Sequence, residues 1–397
     1  MSYETYRVAD LIDEIAMGPF GSNIKVSCFV DSGVPVLNGS NLEGFSLSEK
    51  AFRYVSKEKA DSLNKANAHR GDIVITHRGT LGQIVFIPQD SRYNRYVISQ
   101  SQFRVRCNDK VLPEYLVYYF HTPIGQYKLL SNASQVGVPA LARPSSTFQQ
   151  IEVELPELSI QKRVVEIITT VQKKIENNQE LNDNLQRQLR TIFKAEFTDN
   201  PELEKMTQIP LSELCHVVTK GTTPTTLGKP FVESGIIFIK AESILADHSL
   251  DKSKFAFIDE ETNALLKRSV IHAGDIVFTI AGTLGRFALI DDNALPANTN
   301  QAVAIIRADA EKVLPEYIYT CFIGEWHTDY YAKRVQQAVQ ANLSLTTIKS
   351  LPIPVLDKAK MDEYLRLILP LIKAIKGNEA QNEKLAALRD CLLYTSD

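Results

Sequence analysis

The chain is written twice, and this duplication constrains its fold more than any other feature of the sequence. Residues 69–87 read HRGDIVITHRGTLGQIVFI, and residues 272–290 read HAGDIVFTIAGTLGRFALI, an offset of 203. Val111-Leu-Pro-Glu-Tyr115 returns as Val313-Leu-Pro-Glu-Tyr317. Looser echoes place Ile175, Asn178, Asn182 and Leu185 against Ile375, Asn378, Asn382 and Leu385. A period near 200 residues is far too long for a solenoid, so the chain is a tandem pair of domains.

Each copy carries the signals of short strands and one helix. A Gly-Asp turn feeds the β-branched run to Thr76, the Gly79–Gly82 turn follows, and Ile84–Ile87 makes a second strand, which together predict a hairpin. Asp72 and Asp275 are placed to fix that turn, and His69 and His272 beside them read as turn or core residues. Pro113 and Pro315 each stand where a helix begins, since a first-turn proline gives up no hydrogen bond. Alternating Ile151, Val153 and Leu155 predict an edge strand, and Ile348–Pro354 its counterpart.

Between the copies, from about Ser159 to Phe197, the sequence has neither proline nor glycine. Val164, Ile168, Val171 and Ile175, then Asn178 and Asn182, then Leu185, Leu189 and Ile192 step by three and four, the seam of a coiled coil. The second copy offers Leu365, Ile368, Ile372, Ile375 and Leu385 as its partner. With a whole domain between them, the helices are expected to fold back antiparallel. Asn178 and Asn182 beside Asn382 would fix register. Pro370 predicts a kink or a late start for the second helix. The expected fold class is α/β (α+β). Its order is a globular domain over 1–157, a helix over 158–200, a second domain over 201–356 and a second helix over 357–397. Two imperfect copies held apart by a helix pair suit a target with two separated, unlike halves.

Composition narrows the classes. Apolar residues are 44% and charged residues 23% of 397, ordinary for a soluble globular protein. No apolar run reaches the length of a membrane helix, and the opening MSYETYRVAD lacks the marks of a signal peptide. Five widely spaced cysteines without a CxxC argue against a disulfide framework or structural zinc and for a reducing, cytoplasmic setting. No Walker motif, HExxH or methyl-donor glycine motif occurs, so catalytic, metal and cofactor residues are all expected to be absent.

The Met17–Ser22 opening and the Glu176-Asn-Asn-Gln179 stretch of the first long helix accompany a Gly-Asp-Ile-Val strand with its Gly-Thr-Leu-Gly turn, a Leu-Pro-Glu-Tyr helix, a domain end at proline and a long helix, the last four in the same order in both halves. That arrangement resembles the specificity (S) subunit of Type I restriction–modification systems over nearly the whole chain. The resemblance implies two tandem target recognition domains, each reading one half of a bipartite, asymmetric double-stranded DNA target. The helix pair would set the gap and dock two methyltransferase subunits, with restriction and motor subunits joining the complex. S-adenosylmethionine, ATP and Mg would belong to those partners, and no membrane would be involved. The end of the second helix, from Leu388 onward, falls out of register with the first copy, which suggests a truncated or mis-assembled end. Two other readings stand beside this one: a coiled-coil scaffold that binds proteins only, and a nuclease with a cryptic site.

Base readout needs amides, arginines and hydroxyls set among phosphate contacts. Net charge is −3, so the search is for local patches. Residues 91–106 hold four arginines and no acid, which nominates Arg92, Tyr93, Asn94 and Arg95, with Arg104 and Arg106 reading as a solvated strand face. His77 and Arg78 flank a turn whose glycines recur while they do not. Early loops add Ser22, Asn23, Lys25 and Asn41, and the loop before the last strand adds Gln135 and Arg143. In the second copy the candidates are Lys220, Thr222, Thr223, Lys240, Ser243, Arg286, Asn298, Asn300, Gln337, Gln340 and Asn342. Loops differ between the copies more than framework does, which predicts unlike half-sites.

Overall fold

The computed structural model describes residues 3–20, 23–134, 138–200, 206–335 and 342–394. The chain divides into two compact units, Met1–Lys173 with Leu385–Asp397, and Lys174–Lys384. Each long helix lends part of its length to each unit.

In the first unit the expected hairpin forms, with Val74 opposite Val85. It extends into an antiparallel sheet in the order Ile12–Met17, Gln102–Cys107, Ile73–Thr76, Ile84–Phe86. The central run is apolar throughout because both faces of the sheet are covered. Period-two alternation sends Ile73 and Ile75 into one core with Phe103, Leu116 and Phe120. Val74 and Val85 go to the other, with Leu37, Tyr96 and Ile98. The first core is roofed by helix Pro113–His121, and the second by a five-stranded sheet in the order Phe29–Val30, Arg53–Val55, Val34–Val36, Arg95–Val97, Asn67–His69. Within it Val34–Val36 runs parallel to Arg95–Val97. Edge strand Glu152–Pro156 pairs with Tyr3–Arg7.

The second unit repeats the plan. Its sheet runs Cys215–Lys220, Val303–Ala308, Ile276–Thr279, Phe287–Leu289. Ile276 and Phe278 face one core and Val277 the other. A smaller sheet sets Ile236–Ile239 parallel to Ala297–Thr299. The last strand is shorter than the alternation suggests. Ser344 caps a helical turn at Leu345–Lys349, its Oγ accepting the Thr347 N–H at 3.0 Å, so the strand begins only at Pro352.

One polar cluster in the first unit departs from the sequence reading. Arg104 is not on a solvated face but 4% exposed. Its guanidinium meets Glu14 at 2.8 Å and Asp72 at 3.3 Å, and Arg106 reaches Asp72 at 3.0 Å. The hydrogen bond from Arg104 holds the Glu14 carboxyl below its usual range. Asp72 also accepts the His69 N–H at 2.9 Å, so it fixes the turn as expected and anchors two arginines besides. The second unit keeps the device in simpler form. Asp275 accepts the His272 N–H at 2.8 Å and both Arg307 donors at 2.7 Å.

The central helix spans Leu158–Phe193 and ends in a π-helical turn at Lys194–Thr198. Within the second unit it packs antiparallel to the distal helix, Lys358–Tyr394. Asn178 donates to Asn382 at 2.7 Å and Asn378 donates to Asn182 at 2.8 Å. Asn382 and Asn182 in turn donate to the Ile175 and Ile375 carbonyls, each at 3.3 Å. Two amide pairs thus sit in an otherwise apolar seam of Ile175, Leu185, Ile368 and Ile372, and a slip of one turn would leave them unpaired. The distal helix is not delayed by Pro370. Ile368 and Ile372 on either side are buried, and their packing offsets the missing hydrogen bond. The distal helix runs to Tyr394, and Leu393 enters the core of the first unit.

Candidate nucleic-acid interface

In both units one edge of the fold gathers polar loops, and a similar frame builds it. In the first unit Gly18 donates to the Gln102 carbonyl at 2.8 Å, and a Cβ on Gly18 would fall 1.8 Å from the Ser99 oxygen. Glycine is needed there because two backbones touch. The His77 N–H reaches the Ser101 carbonyl at 2.8 Å, and the Leu141 N–H reaches the His77 carbonyl at 2.9 Å. These bonds bring Gly18–Phe20, the turn after Thr76, residues 99–101 and residues 138–141 to one edge. Gln83 ties in a further loop by donating to the Gly39 carbonyl at 3.0 Å.

The second unit builds a similar frame, although its glycine bonds to the start of the loop instead of its end. Gly221 donates to the Asn300 carbonyl at 3.1 Å, with its Cβ position 1.8 Å from the Thr299 oxygen. Ile280 pairs with Ala302 at 2.8 Å, and Leu343 with Ile280 at 2.9 Å. Because Ile239 lies beside Thr299 in a parallel pair, Lys240 and Asn300 leave the sheet side by side.

Several candidates meet on these edges. Asn23, Lys25, Arg78 and Arg143 are exposed in the first unit. His77 is half-buried, and burial holds its imidazole below the ordinary range. Its Nε2 donates to the Gln100 carbonyl at 3.1 Å, which makes it a brace for that loop. In the second unit Lys220 and Asn342 are exposed, with Thr222, Thr223, Lys240 and Asn300 half-buried. Lys240 is paired with Glu242 at 2.7 Å, and Thr223 donates to Gln301.

Other candidates are drawn away. Asn41 is buried and donates to the Ser48 and Lys50 carbonyls at 3.0 and 2.8 Å, so it shapes its loop instead of facing a ligand. Ser243 is buried and bonded to the Lys254 carbonyl at 3.2 Å. Asn298 is buried between Ser269 and Asn263, at 2.7 and 2.8 Å. Arg286 braces the Ile244 carbonyl at 3.1 Å, the job Gln83 does in the other copy.

Most of the basic segment's charge is paired within the fold. Its arginines find acids far off in sequence: Arg95 pairs with Asp61, Arg104 with Glu14 and Asp72, and Arg106 with Asp72. Arg92 keeps an exposed guanidinium, 5.3 Å over the Tyr93 ring, while Glu49 holds its backbone N–H at 3.0 Å. Tyr93 packs on Phe52 and Tyr54, and Asn94 is exposed. Residues 92–94 precede strand Arg95–Val97, whereas residues 99–101 follow it, so this patch stands at the opposite end of that strand from the shared edge. Ser22, Gln135, Gln337 and Gln340 lie outside the described residues.

The sequence reading passes over Phe20, Arg53, Gln100 and Arg268. All four are exposed at these edges, and Arg268 donates to the Lys220 carbonyl and the Thr222 hydroxyl at 3.4 Å. Only the fold shows that they belong there. Among the described residues no three metal-ligating side chains stand together, and no helix is long and apolar enough to cross a membrane.

Comparison with known proteins agrees with this duplicated architecture. The family model for the Type I restriction modification DNA specificity domain matches residues 3–187 and again 204–385. The Type I restriction enzyme MjaIX specificity subunit of Methanocaldococcus jannaschii is 21% identical, over 96% of this chain and 90% of its own length. The HindI specificity subunit of Haemophilus influenzae is also 21% identical, over 82% and 85%. The crystal structure of a Type I S subunit from M. genitalium shares the fold, with a TM-score of 0.57 at 13% identity over 99% of this chain and 95% of that one.

Proposed function

Because this chain belongs to the Type I restriction modification DNA specificity family, we propose that its two matching edges each read one half of a bipartite DNA target. It is a DNA sequence-specificity subunit of a Type I restriction–modification complex. The observation that carries the half-site assignment is the edge built twice, with a similar backbone frame at Gly18 and Gly221 and unlike side chains around it. One frame with two sets of readers fits an asymmetric target with two unlike halves. The asparagine-registered helix pair fits a spacer of fixed length, and its outer faces offer two methyltransferase subunits a place to dock. Chemistry then falls to those partners, which would hold S-adenosylmethionine, ATP and Mg, while this chain supplies recognition alone in the cytoplasm.

Arg78 and Lys220 test the reading, one in each unit. Alanine at either should weaken DNA binding by the assembled complex and lower the salt dependence by about one counterion per residue. The measurement is affinity across a salt series on duplexes carrying the target. Unchanged affinity and slope in both variants would favour a protein-binding scaffold instead.

A further inference from the structure

Beside the first unit's edge lies an apolar surface. Phe20 is 83% exposed and Val26 82% exposed. Phe20 borders a recess of about 400 Å³ walled by Ile24, Phe29 and Val36. Gln100 opens onto the same recess, and Arg53 stands over the Phe29 ring at 5.3 Å. A single exposed phenylalanine on a protein surface needs no explanation. This one is set at the end of a polar reading edge, next to an exposed amide and a cation. In the major groove an A·T pair presents an adenine edge that an amide can pair with and a thymine methyl that an apolar group can cover. The surface offers both partners together, with Arg53 on the rim where a phosphate would pass. At the matching place in the second unit stands Thr223, whose hydroxyl is engaged by Gln301.

Resting on the DNA-reading role given above, we propose that Phe20 and its recess recognise the 5-methyl group of a thymine in the half-site read by the first unit, with Gln100 placed for the paired adenine. The contact would thus be confined to one half of the target.

The test uses the assembled complex of this chain with its methyltransferase subunits. The probes are target duplexes in which each thymine of the first half-site is replaced in turn by deoxyuridine, which lacks only the methyl group. One replacement should weaken binding by the wild-type complex about fourfold, the worth of burying one methyl-sized group. Phe20→Ala should bind the unmodified target more weakly and no longer distinguish thymine from deoxyuridine at that position. Its discrimination of the second half-site should be unchanged, which shows that the variant is folded. The proposal is overturned if every replacement is neutral, if Phe20→Ala loses as much as the wild type on the same replacement, or if the first half-site contains no A·T pair. A complex without any sequence preference would overturn the DNA-reading role along with it.

Discussion

Asp72→Ala should lower the stability of the first unit by about 3 kcal/mol, the low end of what removing one partner from a buried ion pair costs. Arg104 is 4% exposed and would keep Glu14 and the Lys65 carbonyl, but lose the partner of its Nη1. The His69 N–H and the Arg106 Nε would lose theirs too. Asp275→Ala should cost less, because the Arg307 side chain is 25% exposed and can rehydrate. Hydrogen exchange of the Ile73–Thr76 and Ile276–Thr279 amides in the intact chain separates the two units. Equal protection in wild type and Asp72→Ala would show that the cluster does not hold the sheet. Acid should act on the same cluster. Glu14 has a lowered folded pKa, so its contribution is present above the unfolded carboxylate range and lost as pH falls through the folded value.

Gly221→Ala should weaken reading of one half-site tenfold or more and spare the other. The added Cβ would lie 1.8 Å from the Thr299 oxygen and 2.8 Å from the Asn300 nitrogen, both backbone, so residues 299–301 must move. Those residues carry Asn300 and Gln301 to the edge. On the proposed reading role, displacing this loop by an ångström or more forfeits base contacts worth about 1–3 kcal/mol apiece, a tenfold or greater loss for the two residues together. Gly18→Ala should do the same to the first half through residues 99–101. Binding measured on duplexes with one half-site scrambled at a time reads the effect separately for each unit. Normal discrimination of both halves by Gly221→Ala would remove the edge from the recognition machinery.

The framework was legible because it is repetitive. A doubled Gly-Asp-Ile-Val strand, two first-turn prolines and a heptad seam each report local geometry that needs no knowledge of distant residues. Even the amide register, Asn178 against Asn382, could be read from spacing and symmetry. The site was less legible, for two physical reasons. Charge is settled in three dimensions: residues 91–106 contain no acid, yet Asp61, Asp72 and Glu14 pair with three of their arginines. Loop amides also look alike in sequence whether they bind a ligand or their own backbone. Asn41 and Asn298 satisfy buried carbonyls and hydroxyls, whereas Asn23 and Asn342 face solvent. Phe20 shows the converse: an aromatic residue reads as core until the fold leaves it outside.

Expression of this chain with the methyltransferase subunits proposed as its partners in a methylation-free host, followed by single-molecule sequencing of the genome, tests bipartite recognition most directly. One split adenine-methylated motif, with two unlike halves and a fixed gap, is expected, and Gly221→Ala should relax one half while leaving the other and the gap intact. A continuous motif, or methylation with no motif from a stably assembled complex, would contradict it.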